Sequence, residues 1–197
     1  IQGEGSISQI AEEVTRAGYN SVFLIMGKYF DIESNLGFLQ KYSSTTFIKS
    51  GINVEEEEAE KAYEKYSQSN KEVIIAIGGG SIIDVAKFII YRLTAFSMPV
   101  PFFIAAPTTS GSGSEATHFA VIYKKKTKVS LTHPTLLPQL VVLDPQLTYS
   151  LPPYQTAVSG MDVLAQSVES YWNVNATEES KEYATESILL WKTFYSS

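Results

Sequence analysis

Three stretches carry residue types and spacings that could do chemistry. The first is Gly78-Gly79-Gly80-Ser81-Ile82-Ile83-Asp84, which follows the most apolar short run of the chain and opens a helical pattern through Lys87 and Ile90. Backbone N–H groups at a helix start have no intrahelical partner, and the helix dipole favours an anion there. Glycine lets the backbone approach such a ligand closely. This is a place for phosphate. The pattern is neither Gly-x-Gly-x-x-Gly nor a P-loop, since no Lys-Ser/Thr follows. The plainer reading is a tight strand-to-helix turn with Asp84 as an ordinary first-turn carboxylate; three successive glycines weigh against it.

The second stretch runs from Thr108 to Thr117, with many hydroxyls and two glycines at the carboxyl end of an apolar run. Its groups could hydrogen-bond a ribose, a pyrophosphate or a carboxamide. A flexible polar loop fits the composition about as well, and the location opposite the glycine turn favours a ligand. The third is a helical pattern with Met161, Leu164, Ala165, Val168 and Trp172 on one face, and Ser159, Asp162, Gln166 and Glu169 on the other. Asp162 and Gln166 lie one turn apart and could reach one ion. Taken alone this is a weak signal, because polar faces of amphipathic helices are usually just wet. The two histidines, His118 and His133, are isolated, without metal-ligand spacing.

The elements that must position these groups alternate. A helix is expected over the face Ile7, Ile10, Ala11 and Val14, with Ser6 and Gln9 as a capping box and Gly18 closing it. Residues 21–26 read as a strand, then a helix with Ile32, Leu36 and Leu39 on one side, then a short strand over 45–48. Asn53 is expected to cap a helix whose acidic start, Glu55 to Glu58, suits the dipole, with Ala59, Ala62, Tyr63 and Tyr66 buried. Strand 73–77, helix 82–93 and strand 102–106 follow. Such near-continuous apolar strands argue for a parallel sheet covered on both faces, with ligands beyond its carboxyl ends. Residues 119–123 and 129–132 then read as a β-hairpin with a solvated lysine tip (Lys124 to Lys126, with Lys128), and 140–143 as one more strand closed by Asp144-Pro145. After the double proline at 152–153 two helices are expected, over 154–172 and 178–194. The fold class is thus α/β, a Rossmann-like parallel sheet with a hairpin over 1–152, followed by the start of a helical domain over 153–197.

Composition narrows the function. The 197 residues are 44% hydrophobic with a formal net charge of -6, which argues against a nucleic-acid or membrane-surface binder. The absence of cysteine rules out disulfides and thiolate metal sites, and a cytoplasmic location is expected. No apolar run approaches the ~18 residues of a membrane span. The chain opens on Ile1 and stops at Ser197 just after a helical run, and it reads as an incomplete fragment.

Taken together the residues resemble the iron-dependent, or group III, alcohol dehydrogenase family. The matching segments are 78–87 (GGGSIIDVAK), 107–117 (PTTSGSGSEAT), 144–152 (DPQLTYSLP) and 159–171 (SGMDVLAQSVESY), with Gly3-Glu4-Gly5-Ser6 similar to an early family motif. The resemblance implies a dinucleotide-binding domain, a helical domain and an active site in the cleft between them. It places the cofactor pyrophosphate at Gly79, Gly80, Ser81 and Asp84, and the nicotinamide side at Thr108, Thr109 and Thr117. Asn53 and Lys128 also match cofactor-contact positions. Asp162 matches the first metal-ligand position, for Fe2+ or Zn2+; further histidine ligands are expected past Ser197, so metal binding by this chain alone is expected to be weak.

Two departures from the family pattern matter. Gln166 stands where many members carry histidine, and an amide oxygen is a feebler ligand for a borderline metal. Gly27, followed by Lys28, stands where NAD-preferring members carry an aspartate that pairs with the ribose hydroxyls. Without that carboxylate a 2′-phosphate is not repelled, so NADPH is expected to be accepted. The Gln166 variant is most similar to the phosphonoacetaldehyde reductase branch. The expected activity is NAD(P)-dependent, metal-assisted hydride transfer between a small alcohol and its aldehyde, by a homo-oligomer, with a dimer expected. This piece by itself is expected to be inactive. A non-catalytic dinucleotide-binding module and a dehydroquinate-synthase-like enzyme stay open as alternatives.

Overall fold

The computed structural model describes residues 1–28 and 37–195. The helix expected to carry Ile32 and Leu36 therefore lies outside the described residues. Two compact units emerge: residues 1–108 with 113–147, and residues 109–112 with 148–197.

In the first unit, α1 (Ile10–Arg16) leads into β1 (Ser21–Gly27), then β2 (Ser43–Lys49), α2 (Glu56–Ser69), β3 (Val73–Gly78), α3 (Gly80–Ala95) and β4 (Phe102–Pro107). The hairpin β5 (Phe119–Lys124) and β6 (Thr127–Thr132) follows, and then the short β7 (Leu140–Val141). Five parallel strands form one sheet in the order β2-β1-β3-β4-β7, and β5 pairs with β6 separately. The side-chain alternation of a strand accounts for the continuous apolar runs. Phe23, Ile25, Ile74, Ala76, Phe103 and Ala105 point to the face covered by α2 and α3. Val22, Leu24, Met26, Val73, Ile75, Ile77, Ile104 and Ala106 point to the face covered by α1. Both faces are buried, as expected of a parallel sheet.

After α1, Gly18 takes φ 80°, its N–H reaches the Thr15 carbonyl and the Tyr19 N–H reaches Val14, the two bonds of a Schellman motif. The expected capping box at the other end does not form. Ser6 to Gln9 make a turn of 3-10 helix with no side-chain cap, and Ser6 is buried. The capping role passes to a distant residue: Asp144 accepts the Gly5 N–H at 3.1 Å, the Ile7 N–H at 3.0 Å and the Gln146 N–H at 3.0 Å. Asn53 does not cap α2 either. That helix starts at Glu56 with Glu55 as N-cap, and the acid three residues on, Glu58, reaches back to the backbone N–H groups of Ser50 and Gly51. Burial raises the Glu58 carboxyl, but these N–H groups, the Ser50 hydroxyl and Lys49 together hold it below its usual value.

The second unit holds α4 (Pro153–Trp172) and α5 (Glu178–Tyr195) with residues 109–112. The apolar stripe expected on α4 is not its buried face: Met161 is 55% and Trp172 78% exposed. Small residues are buried instead, Ser159, Gly160 and Ser167, because they let α5 come close. A Cβ on Gly160 would stand 2.2 Å from the Tyr195 ring, and the Ser167 and Ser187 hydroxyls meet at 2.7 Å.

Candidate dinucleotide site

The glycine turn lies where the sequence reading put it. β3 ends at Gly78, Gly79 is the N-cap of α3 with extended backbone, and Gly80 and Ser81 are its first helical residues. The Gly79 carbonyl accepts the Ile82 N–H at 2.9 Å, closing the first turn of the helix. The Gly78 carbonyl accepts from Thr108 N–H at 3.1 Å, which ties the turn to the end of β4. Gly78 is required sterically: a Cβ there would meet Ile82 Cγ1 at 2.4 Å and Ile82 Cβ at 2.7 Å.

Strand register sets the rest of the edge. Gly27 pairs with Lys49, Met26 with Ile77, and Gly78 with Pro107, so the last residues of β2, β1, β3 and β4 form one row at the carboxyl edge of the sheet. Gly27 has room beside it, since a Cβ would find only Ile82 Cδ1, at 3.9 Å. Lys28, the next residue, is exposed. On the other side of Gly27, the buried Lys49 ammonium donates to the carbonyls of Gly51 at 2.5 Å and Asn53 at 2.8 Å, with Glu58 at 3.5 Å balancing its charge. The Asn53 loop is thus held from beneath, and its neighbour Val54 accepts from Tyr123 N–H at 2.7 Å. Tyr123 pairs across the hairpin with Lys128, which is exposed. The hairpin tip closes on Lys125 and Lys126, both at positive φ, and Lys124 pairs with Glu56 at 2.9 Å rather than being merely solvated.

Asp84 is engaged within the protein. Its carboxylate accepts from the Ser114 hydroxyl at 2.8 Å and from Val121 N–H at 3.1 Å. Burial pushes this carboxyl above its usual range, while those two donors and Lys87 act in the opposite direction. Lys87, one turn further along α3, is fully buried. Its role was not read from the sequence, although a lysine inside the otherwise apolar run Val85, Ala86, Phe88, Ile89 was a signal of a buried cation with partners to find.

Among the remaining candidates, Thr108 and Thr117 belong to the first unit and Thr109 to the second. Within the second unit, Gly111 takes φ 132° and a Cβ there would stand 2.5 Å from the Ser159 carbonyl oxygen. Gln166 Nε2 donates to the Gly111 carbonyl at 2.7 Å. Only Gln166 Oε1 is then left as a ligand atom, and Asp162 is exposed one turn before it. Among the described residues no group of three or more His, Cys, Asp or Glu could hold a metal ion. One carboxylate and one amide fall short of the donor set that iron or zinc needs.

A doubly covered parallel sheet with a glycine turn leading into a helix at its carboxyl edge defines a dinucleotide-binding class of α/β protein. Comparison with known proteins makes this specific. Residues 1–145 match the iron-containing alcohol dehydrogenase family model, and the chain belongs to that family. It is 30% identical over 209 aligned residues to a long-chain-alcohol dehydrogenase of Geobacillus thermodenitrificans, covering 95% of this chain and 53% of that protein. The structure is similar to that of an iron-containing alcohol dehydrogenase from Thermococcus thioreducens (TM-score 0.87, 26% identity, 98% of this chain and 57% of that one). It is also similar to a sulfoacetaldehyde reductase from Bifidobacterium kashiwanohense solved with NAD+ (TM-score 0.80, 29% identity, 87% of this chain and 50% of that one). The chain spans about half the length of these relatives.

Proposed function

We propose that this chain binds NAD(P) as the dinucleotide-binding part of an alcohol dehydrogenase or aldehyde reductase. The observation that carries the reading is the row formed by Gly27, Gly78 and Pro107, with the first turn of α3 opening directly behind it. The pyrophosphate would lie against Gly79, Gly80 and Ser81, where helix N–H groups point outward. Thr108 and Thr117 would hydrogen-bond the nicotinamide half, and Asn53 and Lys128 the adenosine half. When bound, the nicotinamide supplies the hydride exchanged with a small aldehyde or alcohol. Asp162, with Gln166 beside it, is the proposed contribution to a metal site.

The test is direct. NADH fluorescence should change on addition of the chain, and aldehyde-dependent NADH oxidation should be undetectable with the chain alone, with or without added Fe(II). The aldehyde panel should include phosphonoacetaldehyde, the proposed substrate of the complete enzyme. A chain that binds no dinucleotide would sink the reading. A longer protein that contains this chain, binds NADH and turns over no aldehyde would favour a non-catalytic module.

Cofactor choice is proposed to turn on Gly27. With no carboxylate there and Lys28 exposed beside it, NADPH should bind at least as well as NADH. At Gly27 an added Cβ meets nothing nearer than Ile82 Cδ1 at 3.9 Å, so Gly27→Asp is the test. It should move the NADPH/NADH affinity ratio towards NADH by roughly tenfold or more, about 1.4 kcal/mol. An unchanged ratio would remove Gly27 from the specificity argument.

A further inference from the structure

Lys87 presents an ammonium at zero exposure to the backbone carbonyls of Ser114 at 2.5 Å, Thr117 at 2.7 Å and Phe119 at 2.7 Å. An ammonium has three N–H donors, so donors and carbonyls are matched. The Thr117 hydroxyl lies 3.3 Å away as well. One turn earlier on the same helix, Asp84 takes the Ser114 hydroxyl and the Val121 N–H. A cation and an anion on one helix therefore grip the same short segment, the cation through carbonyls and the anion through donors. No direct Asp84–Lys87 ion pair within 4.0 Å is seen among the described residues. Each charge is spent on the segment.

We infer that Lys87 and Asp84 are positioning residues of the dinucleotide site, which fasten the segment carrying Ser114 and Thr117, and the start of the hairpin, to the helix that begins at the glycine turn. The inference rests on the dinucleotide reading above. It also gives Asp84 a role that suits its charge: a carboxylate repels a pyrophosphate at close range, but it can hold the segment that binds the rest of the cofactor. Thr117 hydrogen-bonds through its hydroxyl and has its carbonyl fixed by Lys87, so its side chain is presented from a tethered backbone. Preorganisation of this kind lowers the ordering cost of binding.

The grip depends on pH in a defined direction. Burial pushes the Lys87 ammonium down to about 8, while Asp84 on its own helix and Glu115 on the fastened segment pull it back up. β5 brings two uncharged backbone groups, the Phe119 carbonyl on Lys87 and the Val121 N–H on Asp84. Above that pH the amine keeps two donors for three carbonyls. The state that binds dinucleotide with the segment fastened is the protonated one, so affinity should fall as pH rises through about 8 and be constant below it.

Two measurements on the whole chain test this. In the first, amide hydrogen exchange over residues 113–121 is compared between wild type and Lys87→Met, which keeps the aliphatic stem. Exchange in that window should accelerate at least tenfold in the variant, with β1 and β3 amides unchanged. In the second, the NADH dissociation constant is followed from pH 6.5 to 9.5. It should rise severalfold through about pH 8 in wild type, and be weaker but flat across that range in Lys87→Met. Should Lys87→Met not fold, Ser114→Ala removes the hydroxyl that bonds Asp84 and leaves the backbone carbonyl that Lys87 holds, and it should accelerate exchange in the same window. The wild-type pH profile needs no variant. Wild type binding NADH with a flat profile, or variants with unchanged exchange and affinity, would overturn the inference. Wild type binding no NADH at any pH would instead overturn the functional reading, while the exchange comparison still decides whether the segment is fastened.

Discussion

Gly78→Ala is expected to weaken NADH binding at least tenfold and to lower stability by about 2 kcal/mol, the usual range for forcing an extra carbon into a packed site. The one added carbon would stand 2.4 Å from Ile82 Cγ1 and 2.7 Å from Ile82 Cβ. Both atoms belong to the first turn of α3, whose backbone is anchored on the Gly79 carbonyl. A new Ile82 rotamer would move Cγ1 but leave Cβ at 2.7 Å, so relief requires moving that turn. Moving it displaces the amides that would meet a pyrophosphate. The paired change Gly78→Ala with Ile82→Ala removes Cγ1 and should recover part of the loss. Equilibrium unfolding and NADH titration of the single and paired variants check this; additive losses would show that the two residues do not interact.

Asp144→Ala should destabilise the first unit by about 3–5 kcal/mol, because a buried charged acceptor is removed and several backbone donors are left without it. The carboxylate is 3% exposed and serves the N–H groups of Gly5, Ile7 and Gln146. These bonds tie the first residues of the chain to the far edge of the sheet, where Gln2 bridges to Leu143 and the Ile1 amine reaches the Val141 carbonyl at 2.9 Å. Asp144→Asn keeps one acceptor oxygen but turns an NH2 towards the second site, so it should cost less than alanine. Urea midpoints of the two variants order the effects; an alanine variant as stable as wild type would show that these donors find water instead.

Most of the scaffold was legible in the sequence because burial on both sheet faces writes a local signature. The runs at 21–27, 73–78 and 102–107 are apolar almost residue by residue, and helices of 3.6-residue periodicity separate them. Gly78 to Asp84 was legible for the same reason: a strand end, a turn and a helix start are local features, and three glycines in one turn have few uses. The fold class followed from these elements, as did the family resemblance that residues 1–145 bear out.

Gly18 was legible as a C-cap, but N-caps and the partners of charged groups were not, because they are chosen across long stretches of chain. Ser6 and Gln9 spell a capping box, yet Asp144, 137 residues from Ile7, supplies the acceptor. Asn53 looks like an N-cap, yet Lys49 and Glu58 organise its loop and the helix begins later. Periodicity put Met161 and Trp172 on one face of α4, but it did not show which residues meet α5, and Gly160 and Ser167 are buried there. By itself the amino-acid sequence determined the sheet, the glycine turn and the residue types available to bind a dinucleotide. Tertiary structure alone decided what the buried and half-buried charges hold. Lys49, Lys87, Asp84 and Asp144 must each find partners once water is excluded, and those partners lie wherever the folded chain brings an unpaired carbonyl or N–H within reach.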